Sequence, residues 1–182
     1  MCRSLWFFLV FFGFFSCENP PEKNSTKKKF FPSQTLYNTS VIQRDSGNII
    51  LSLKAPVIEK YEYIDSPYTE VKKGFYLEYF DKKNPKIPGK VWAGYAILYD
   101  KKNLYHAKNH VKIRTSEGTT FTTKSIFWDK NTNRMYTKDT VYVEDKDGNH
   151  LVGTNGMEAD DHFMEYKFYN NRGSFLPDKV GE

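Results

Sequence analysis

The sequence predicts an all-β protein whose strands pair antiparallel. Of its 182 residues, 17% are aromatic, and aromatic side chains suit the pleated, half-buried surface of a sheet. From Val41 onward no stretch of ten or more residues carries apolar residues at helical spacing, and period-two alternation recurs instead. Turn-forming residues come about every ten residues. Consecutive strands joined by such short turns pair antiparallel.

The N-terminus is typical of a bacterial export signal. Arg3 precedes an apolar run at 5–15, which as a helix would span about 16 Å, whereas a bilayer core needs about 30 Å. Small Ser16 and then Cys17 follow, and this arrangement resembles a lipobox. We expect 1–16 to be a signal peptide and Cys17 to be the lipid-attachment residue. A short membrane anchor that is never cleaved is the alternative.

The cysteine count narrows the chemistry of the mature chain. Cys2 leaves with the signal, so Cys17 is then the single thiol. This excludes an intramolecular disulfide, a zinc site of paired cysteines and a cysteine nucleophile in the folded body. Two or more acyl chains on Cys17 would hold the protein firmly to a membrane.

Beyond the signal peptide at 1–16, three regions follow from composition. Residues 18–37 hold three prolines and a lysine run at 27–29, so 17–37 is predicted to be a lipidated, flexible tether. Its lysines either contact anionic headgroups or are simply solvated. The folded body is expected over 38–175 and a C-terminal tail over 176–182.

Net charge argues against nucleic acid as a partner. The chain carries +5 overall, but 38–182 holds 22 basic and 20 acidic residues. A nucleic-acid binder concentrates basic charge on its folded body. A mean hydropathy of −0.67 also excludes a multi-span membrane protein.

Alternation along the body identifies the residues that face inward. Turns are predicted at 45–48, 100–103, 116–118, 129–133, 145–148 and 170–173, with a last strand at about 163–169. The apolar residues predicted to line the inner face are Ile49, Leu51, Leu53, Phe75, Leu77, Tyr79, Val91, Ala93, Val111, Ile113, Phe121, Val141, Val143, Met157 and Phe168.

The body also contains an internal repeat of 29–30 residues. Residues 99–100 align with 128–129, 111–113 with 141–143, and Gly118 with Gly148. Such a unit cannot bury its apolar face alone and must stack on its copies. We expect strands of about five residues in a long, curved sheet with an apolar trough. The inner residues then either form an ordinary closed core or leave a gap that acyl chains fill.

Several segments, in this order and spacing, resemble the LptC family of lipopolysaccharide-export proteins, of the lipoprotein kind. They are 41–47, 53–56, Tyr61, 67–70, 74–81, 93–96, 104–109, 121–123, 126–129, 135–137 and 153–159. The resemblance covers most of 41–175.

The resemblance implies a twisted, open antiparallel β-jellyroll of the OstA/LptA type with an apolar groove. It implies that the protein receives lipopolysaccharide from the LptBFG ABC transporter and passes it to the bridge protein LptA by edge-strand pairing. The implied location is the periplasmic face of the inner membrane, through a lipid anchor, with the outer membrane as the less favoured choice. No cofactor is implied.

An enzyme and a binding protein are the two alternatives to this interpretation. An enzyme is not expected, because no catalytic or phosphate-binding motif appears. His106 and His110 are four apart but lie in a predicted strand, and the acidic cluster at 158–162 lacks a calcium-loop motif, so no metal site is expected. A glycan-binding lipoprotein that uses Trp92 and Trp128 remains the alternative function.

Overall fold

A computed structural model describes residues 31–80 and 86–174, and these form one antiparallel sheet. The all-β prediction is confirmed, with a jellyroll-like arrangement. Within these two ranges a single 3₁₀ turn, Asp100–Lys102, interrupts the strands. The strands are β1 (Gln34–Asp45), β2 (Asn48–Tyr61), β3 (Tyr68–Lys72), β4 (Phe75–Tyr79), β5 (Gly89–Ala93), β6 (Tyr95–Tyr99), β7 (Leu104–Arg114), β8 (Thr120–Asp129), β9 (Arg134–Thr137), β10 (Val141–Glu144), β11 (His150–Asp160) and β12 (Tyr166–Ser174).

The long strands contribute to two parts of the sheet, and these two parts fold toward each other. One half of β2, β7, β8 and β11 pairs with β4, β5 or β10, and these segments form what we call the first sheet. The other half of each pairs with β3, β6 or β9, and these form the second sheet. Buried residues from both sheets belong to one core, so the interior lies between them.

The strands pass from one sheet to the other along a common corner. In β7 the register shifts after Lys108, and Asn109 and His110 take φ of 64° and 59°. In β11 the register shifts after Thr154, with φ of 66° at Asn155. Such bulges bend a strand and increase its twist, which lets each long strand serve both sheets.

The repeat inferred from the sequence corresponds to real structural equivalents. Val111 and Val141 both pair with Thr123 of β8, from its two sides. Gly118 and Gly148 close the two matching hairpins, and their N–H groups donate to the carbonyls three residues earlier. The repeated units therefore lie on either side of β8.

Four details of the sequence prediction differ from the structure. Residues 170–173, predicted as a turn, lie inside β12 and pair with β11, because pairing with a neighbouring strand overrides the turn preference of Asn and Gly. The last strand is accordingly Tyr166–Ser174 rather than 163–169. Strands of 10–14 residues replace several of the expected five-residue strands. Residues 34–37, assigned to the tether, begin β1.

Candidate functional site

A row of apolar residues crosses the inner face of the first sheet from strand to strand. Residues directly opposite each other in antiparallel pairs share a face. The pairing register therefore aligns, in strand order, Val41, Leu53, Leu77, Val91, Ile113, Phe121, Val143 and Leu151.

Exposure changes sharply along this row. Val41, on β1, is 40% exposed, whereas Ile113 and Phe121, in the middle, are each 1% exposed. Leu53, Leu77 and the residues between these extremes are half-buried. The interior is therefore open near β1 and closed from β7 to β10, and Leu151 on β11 is again half-buried.

The fifteen predicted inner-face residues divide accordingly into two groups and one outlier. We name the half-buried group, on β2, β4 and β5, the open half: Ile49, Leu51, Leu53, Phe75, Leu77, Tyr79 and Val91. We name the buried group the sealed half: Ala93, Val111, Ile113, Phe121, Val141, Val143 and Met157. Phe168, on β12, is half-buried against the sealed half.

Two aromatic rings of the inner face lie directly on glycines. A Cβ at Gly89 would come within 2.0 Å of the Tyr79 ring, and one at Gly153 within 2.0 Å of the Phe168 ring. Only glycine leaves room for rings at this distance. Tyr79 therefore lies across β5 in the open half, and Phe168 lies across β11 at the far end.

Apart from Met157, which pairs with Thr137 of β9, the sequence does not predict which residues form the inner face of the second sheet. Its core consists of Ala55, Ile58, Val71 and Ala96, against which Leu36 and Leu98 pack. The β6 segment is apolar at nearly every position, so alternation could not assign its inner side. Val71, an apolar residue between the charged Glu70 and Lys72, is the one member of this core that alternation clearly assigns to the inner side.

Trp128 also faces the interior. It pairs with Tyr105 and with Met135, and Met135 pairs with the fully buried Ala159. Its ring lies 5.0 Å from that of Tyr105. The indole N–H is buried and has no hydrogen-bond acceptor in the described part of the chain. Trp128 is thus a packing residue of the second sheet rather than an exposed platform.

A charged network fastens β2, β3 and β6 on the outside of the second sheet. Lys72 Nζ lies 2.6 Å from Glu59 Oε2 and 2.9 Å from Glu70 Oε2. The hydroxyl of Tyr95 donates to Glu70 at 2.6 Å. Hydrogen bonds from Lys72 and Tyr61 lower the pKa of Glu59, and burial together with the bond to Glu70 raises the pKa of Tyr95.

His106 and His110 lie in different surroundings and do not form a pair of metal ligands. His106 stacks on Phe127 with ring centroids 3.7 Å apart, and its Nε2 is buried without a partner among the described residues. Burial, assisted by the charge of Lys108, lowers the pKa of His106 to about 4. His110 lies at the exposed corner. Over residues 31–80 and 86–174 there is no cluster of three or more potential metal ligands.

The acidic segment that follows β11 is a hydrogen-bonded turn. The carboxylate of Asp160 accepts the backbone N–H groups of His162 and Glu165, at 3.3 and 2.8 Å. His162 Nε2 lies 3.7 Å from Asp161 Oδ1. The side chains therefore organise the connection between β11 and β12.

A groove of about 700 Å³ lies at the corner, on the N-terminal side. Tyr76 and Trp92 line it with ring centroids 5.4 Å apart. Lys54, Lys73 and His110 also line it, and none of the described acidic residues does. The Tyr76 hydroxyl donates to Glu78, and burial with this bond raises the pKa of Tyr76 to about 12.

Both ends of the sheet are strand edges. Within the described chain β1 pairs only with β2, and β12 pairs only with β11. Tyr37 and Ile42 on β1 are 71% and 51% exposed, and Tyr169 on β12 is 57% exposed. An unpaired edge presents N–H and C=O groups to which another strand can add.

Comparison with known proteins identifies the family. The part of the chain that the structure describes has no helix long and apolar enough to cross a membrane, and Cys17 lies outside that part. No curated protein matches the chain. The family model described as "Lipopolysaccharide-assembly, LptC-related" matches residues 4–173. This chain therefore belongs to the LptC family, which comprises periplasmic, inner-membrane-associated components of lipopolysaccharide transport and not enzymes.

Proposed function

We propose that this protein receives lipopolysaccharide from the LptBFG transporter and passes it to an LptA-type bridge. The observation that carries the proposal is the open half, an apolar inner face that stays half-exposed beside the free edge of β1. A closed core would bury those side chains completely, as it does in the sealed half. The open half is the surface on which acyl chains are proposed to lie.

The physical basis is the burial of apolar surface. Each methylene removed from water contributes about 0.8 kcal/mol. One long acyl chain laid along Leu53, Leu77 and Tyr79 would therefore gain several kcal/mol without a specific polar contact. Because this attraction has no direction, it suits a carrier that must also release the lipid.

The two edges supply sites for the neighbouring proteins. A strand added to β1 or β12 would continue the sheet and, with it, the apolar inner face. We propose that one edge takes the transporter and the other takes the bridge. Tyr37 on β1 and Tyr169 on β12 are exposed aromatic side chains on these two strands.

Membrane attachment is proposed through acylation of Cys17, at the periplasmic face of the inner membrane. Two or more acyl chains provide a durable anchor. The segment between Cys17 and β1 then sets the reach of the folded body from the bilayer.

Depletion of the protein in living cells tests this role. Newly made lipopolysaccharide should accumulate in the inner membrane and fall in the outer membrane, and the wild-type chain should restore its distribution. Normal delivery in fully depleted cells would contradict the proposal. A Cys17→Ala variant, exported through a cleavable non-lipoprotein signal, separates the role of the anchor from that of the body.

Glycan binding remains a second candidate because of the corner groove. The Tyr76–Trp92 pair offers an aromatic surface, and Lys54 and Lys73 bring positive charge beside it. In this case Trp92→Ala would abolish sugar binding and leave lipid transfer intact. Loss of lipid transfer in Trp92→Ala, without loss of any sugar binding, would exclude this candidate.

A further inference from the structure

One residue of the main core cluster lies in a turn rather than in a strand. Phe163, in the turn at 161–165 between β11 and β12, is 5% exposed and belongs to the main core cluster. Its ring centroid lies 4.8 Å from that of Phe121. Tyr166, at the start of β12, packs edge-on against the same ring at 5.2 Å.

These contacts join the two sheets on the side away from the corner. The turn leaves β11 after Asp160, which pairs with Arg134 in the second sheet. Phe121 belongs to the first sheet, where it pairs with Val143 and Ile113. The Phe163 ring therefore crosses the space between the sheets, over the sealed half.

The turn is held in a conformation that aromatic residues seldom adopt. Phe163 has φ of 57°, in the left-handed region that is unusual for a bulky side chain. Its N–H donates to the carbonyl of Asp160 at 3.1 Å. The neighbouring side chains are outside the core, and Met164 is 64% exposed. The buried Phe163 ring thus holds an otherwise superficial turn against the core.

We infer that residues 161–165 form a lid, with Phe163 as its plug, that closes the inner face between the open half and β12. The inference rests on the proposed function, since it describes how the same apolar face is regulated. The row from Leu77 to Leu151 is continuous across the strands, and the Phe163 ring lies against its member Phe121. Lipid rests in the open half, and its passage toward β12 requires the Phe163 ring to withdraw.

Accessibility of the sealed half tests the lid without any lipid. In the full-length protein in membranes, Val143→Cys provides a thiol beneath the lid, and the protein without this substitution gives the background. Phe163→Gly should raise the rate of labelling by a small thiol reagent at least tenfold, and Phe163→Leu, which keeps an apolar plug, should raise it less. Met164→Ala, in the same turn, should leave the rate unchanged.

General loosening of the fold must be separated from opening of the lid. Val71→Ala removes buried volume in the other core cluster, so it destabilises the protein at a distance from the turn. It should not accelerate labelling at Val143→Cys. An equal rate in Phe163→Gly and wild type, or an equal increase in Val71→Ala and Phe163→Gly, would overturn the inference.

Lipid contacts give the second measurement. Leu77 and Leu151 are both half-buried and lie in the same row on opposite sides of the sealed half. A photo-crosslinker at each position should yield several times more lipopolysaccharide adduct at Leu77 than at Leu151, and Phe163→Gly should make the yields similar. Equal yields in the wild type would refute the lid while leaving the proposed carrier role intact, whereas no adduct at Leu77 would count against the carrier role itself.

Discussion

Val41 and Ile113 lie in one row across the inner face of the first sheet, yet Val41 is 40% exposed and Ile113 is 1% exposed. Three strands separate them. Over this distance the interior changes from a surface in contact with solvent to a filled core. Substitutions at the two ends should therefore have different consequences.

Arginine substitutions should distinguish the two halves. Leu77→Arg can direct its charge toward the open space, so it should cost about 1–2 kcal/mol of unfolding free energy and leave the protein folded. Ile113→Arg buries an unpaired charge and should cost more than about 4 kcal/mol. Thermal denaturation monitored by circular dichroism measures both.

A lipid-transfer assay on the folded variant completes this test. Leu77→Arg should reduce lipopolysaccharide capture strongly, because an acyl chain bound there would remove the guanidinium charge from water. Leu77→Met, which conserves volume, is the matched control. A stable, fully folded Ile113→Arg protein would show that the sealed half is not a closed core.

The sequence predicted the sheet well because alternation and turn residues act locally. The hairpin at 45–48, the turns at 116–118 and 145–148, and the inner position of Ile113 all follow from neighbouring residues. Whether a given inner residue is open or sealed does not, since it depends on how closely the second sheet approaches.

Phe163 illustrates what local patterns could not reveal. Alternation predicts it to begin the last strand, whereas it lies in a turn and enters the core from outside the sheet. Its position depends on the hydrogen bonds of Asp160 and on the distant Phe121 ring. Likewise, the turn predicted at 170–173 is a strand because β11 pairs with it.

The Lys72 network should contribute more stability than an ordinary surface pair. Lys72→Met leaves Glu59 and Glu70, which are only 19% and 17% exposed, close together without their shared cation. We expect a loss of about 1–2 kcal/mol. Lys60→Met, which breaks the exposed pair with Glu62, should cost clearly less, because water screens both charges.

Urea denaturation at neutral pH measures both variants under identical conditions. The larger loss is expected in Lys72→Met because the two carboxylates it leaves are poorly solvated. Equal losses in the two variants would mean that the network is no stronger than a solvated ion pair.

His106 should make the fold less stable in mild acid. Burial lowers its pKa from 6.5 to about 4. Between these two pH values the imidazole is therefore protonated in the unfolded chain and neutral in the folded chain. Stability is therefore fully present above pH 6.5 and is lost as the pH falls toward 4. The loss ends below pH 4, where both states are protonated.

His106→Phe should remove the part of the pH-dependent stability that comes from His106, and it should keep the ring stack on Phe127. Between pH 6.5 and 4 the melting temperature of the wild type should fall several degrees further than that of the variant. Parallel pH profiles for the two proteins would show that His106 is not responsible.

Trp128→Phe should be nearly neutral for stability. The substitution removes a buried N–H that has no acceptor among the described residues, and it keeps most of the ring. Removing an unsatisfied donor offsets the small loss of packing, so we expect a change below about 1 kcal/mol. Trp128→Ala should instead cost about 3–5 kcal/mol. A large loss in Trp128→Phe, measured by chemical denaturation, would indicate that the N–H has a structural partner.

Photo-crosslinking at Leu77 in membranes supplied with ATP tests the central claim most directly. The account predicts an ATP-dependent adduct with lipopolysaccharide at Leu77, and none at Lys112, whose side chain is exposed on the outer face of the same sheet. Absence of an adduct at Leu77 and at the other positions of the open half, in a protein shown to be folded, would contradict it.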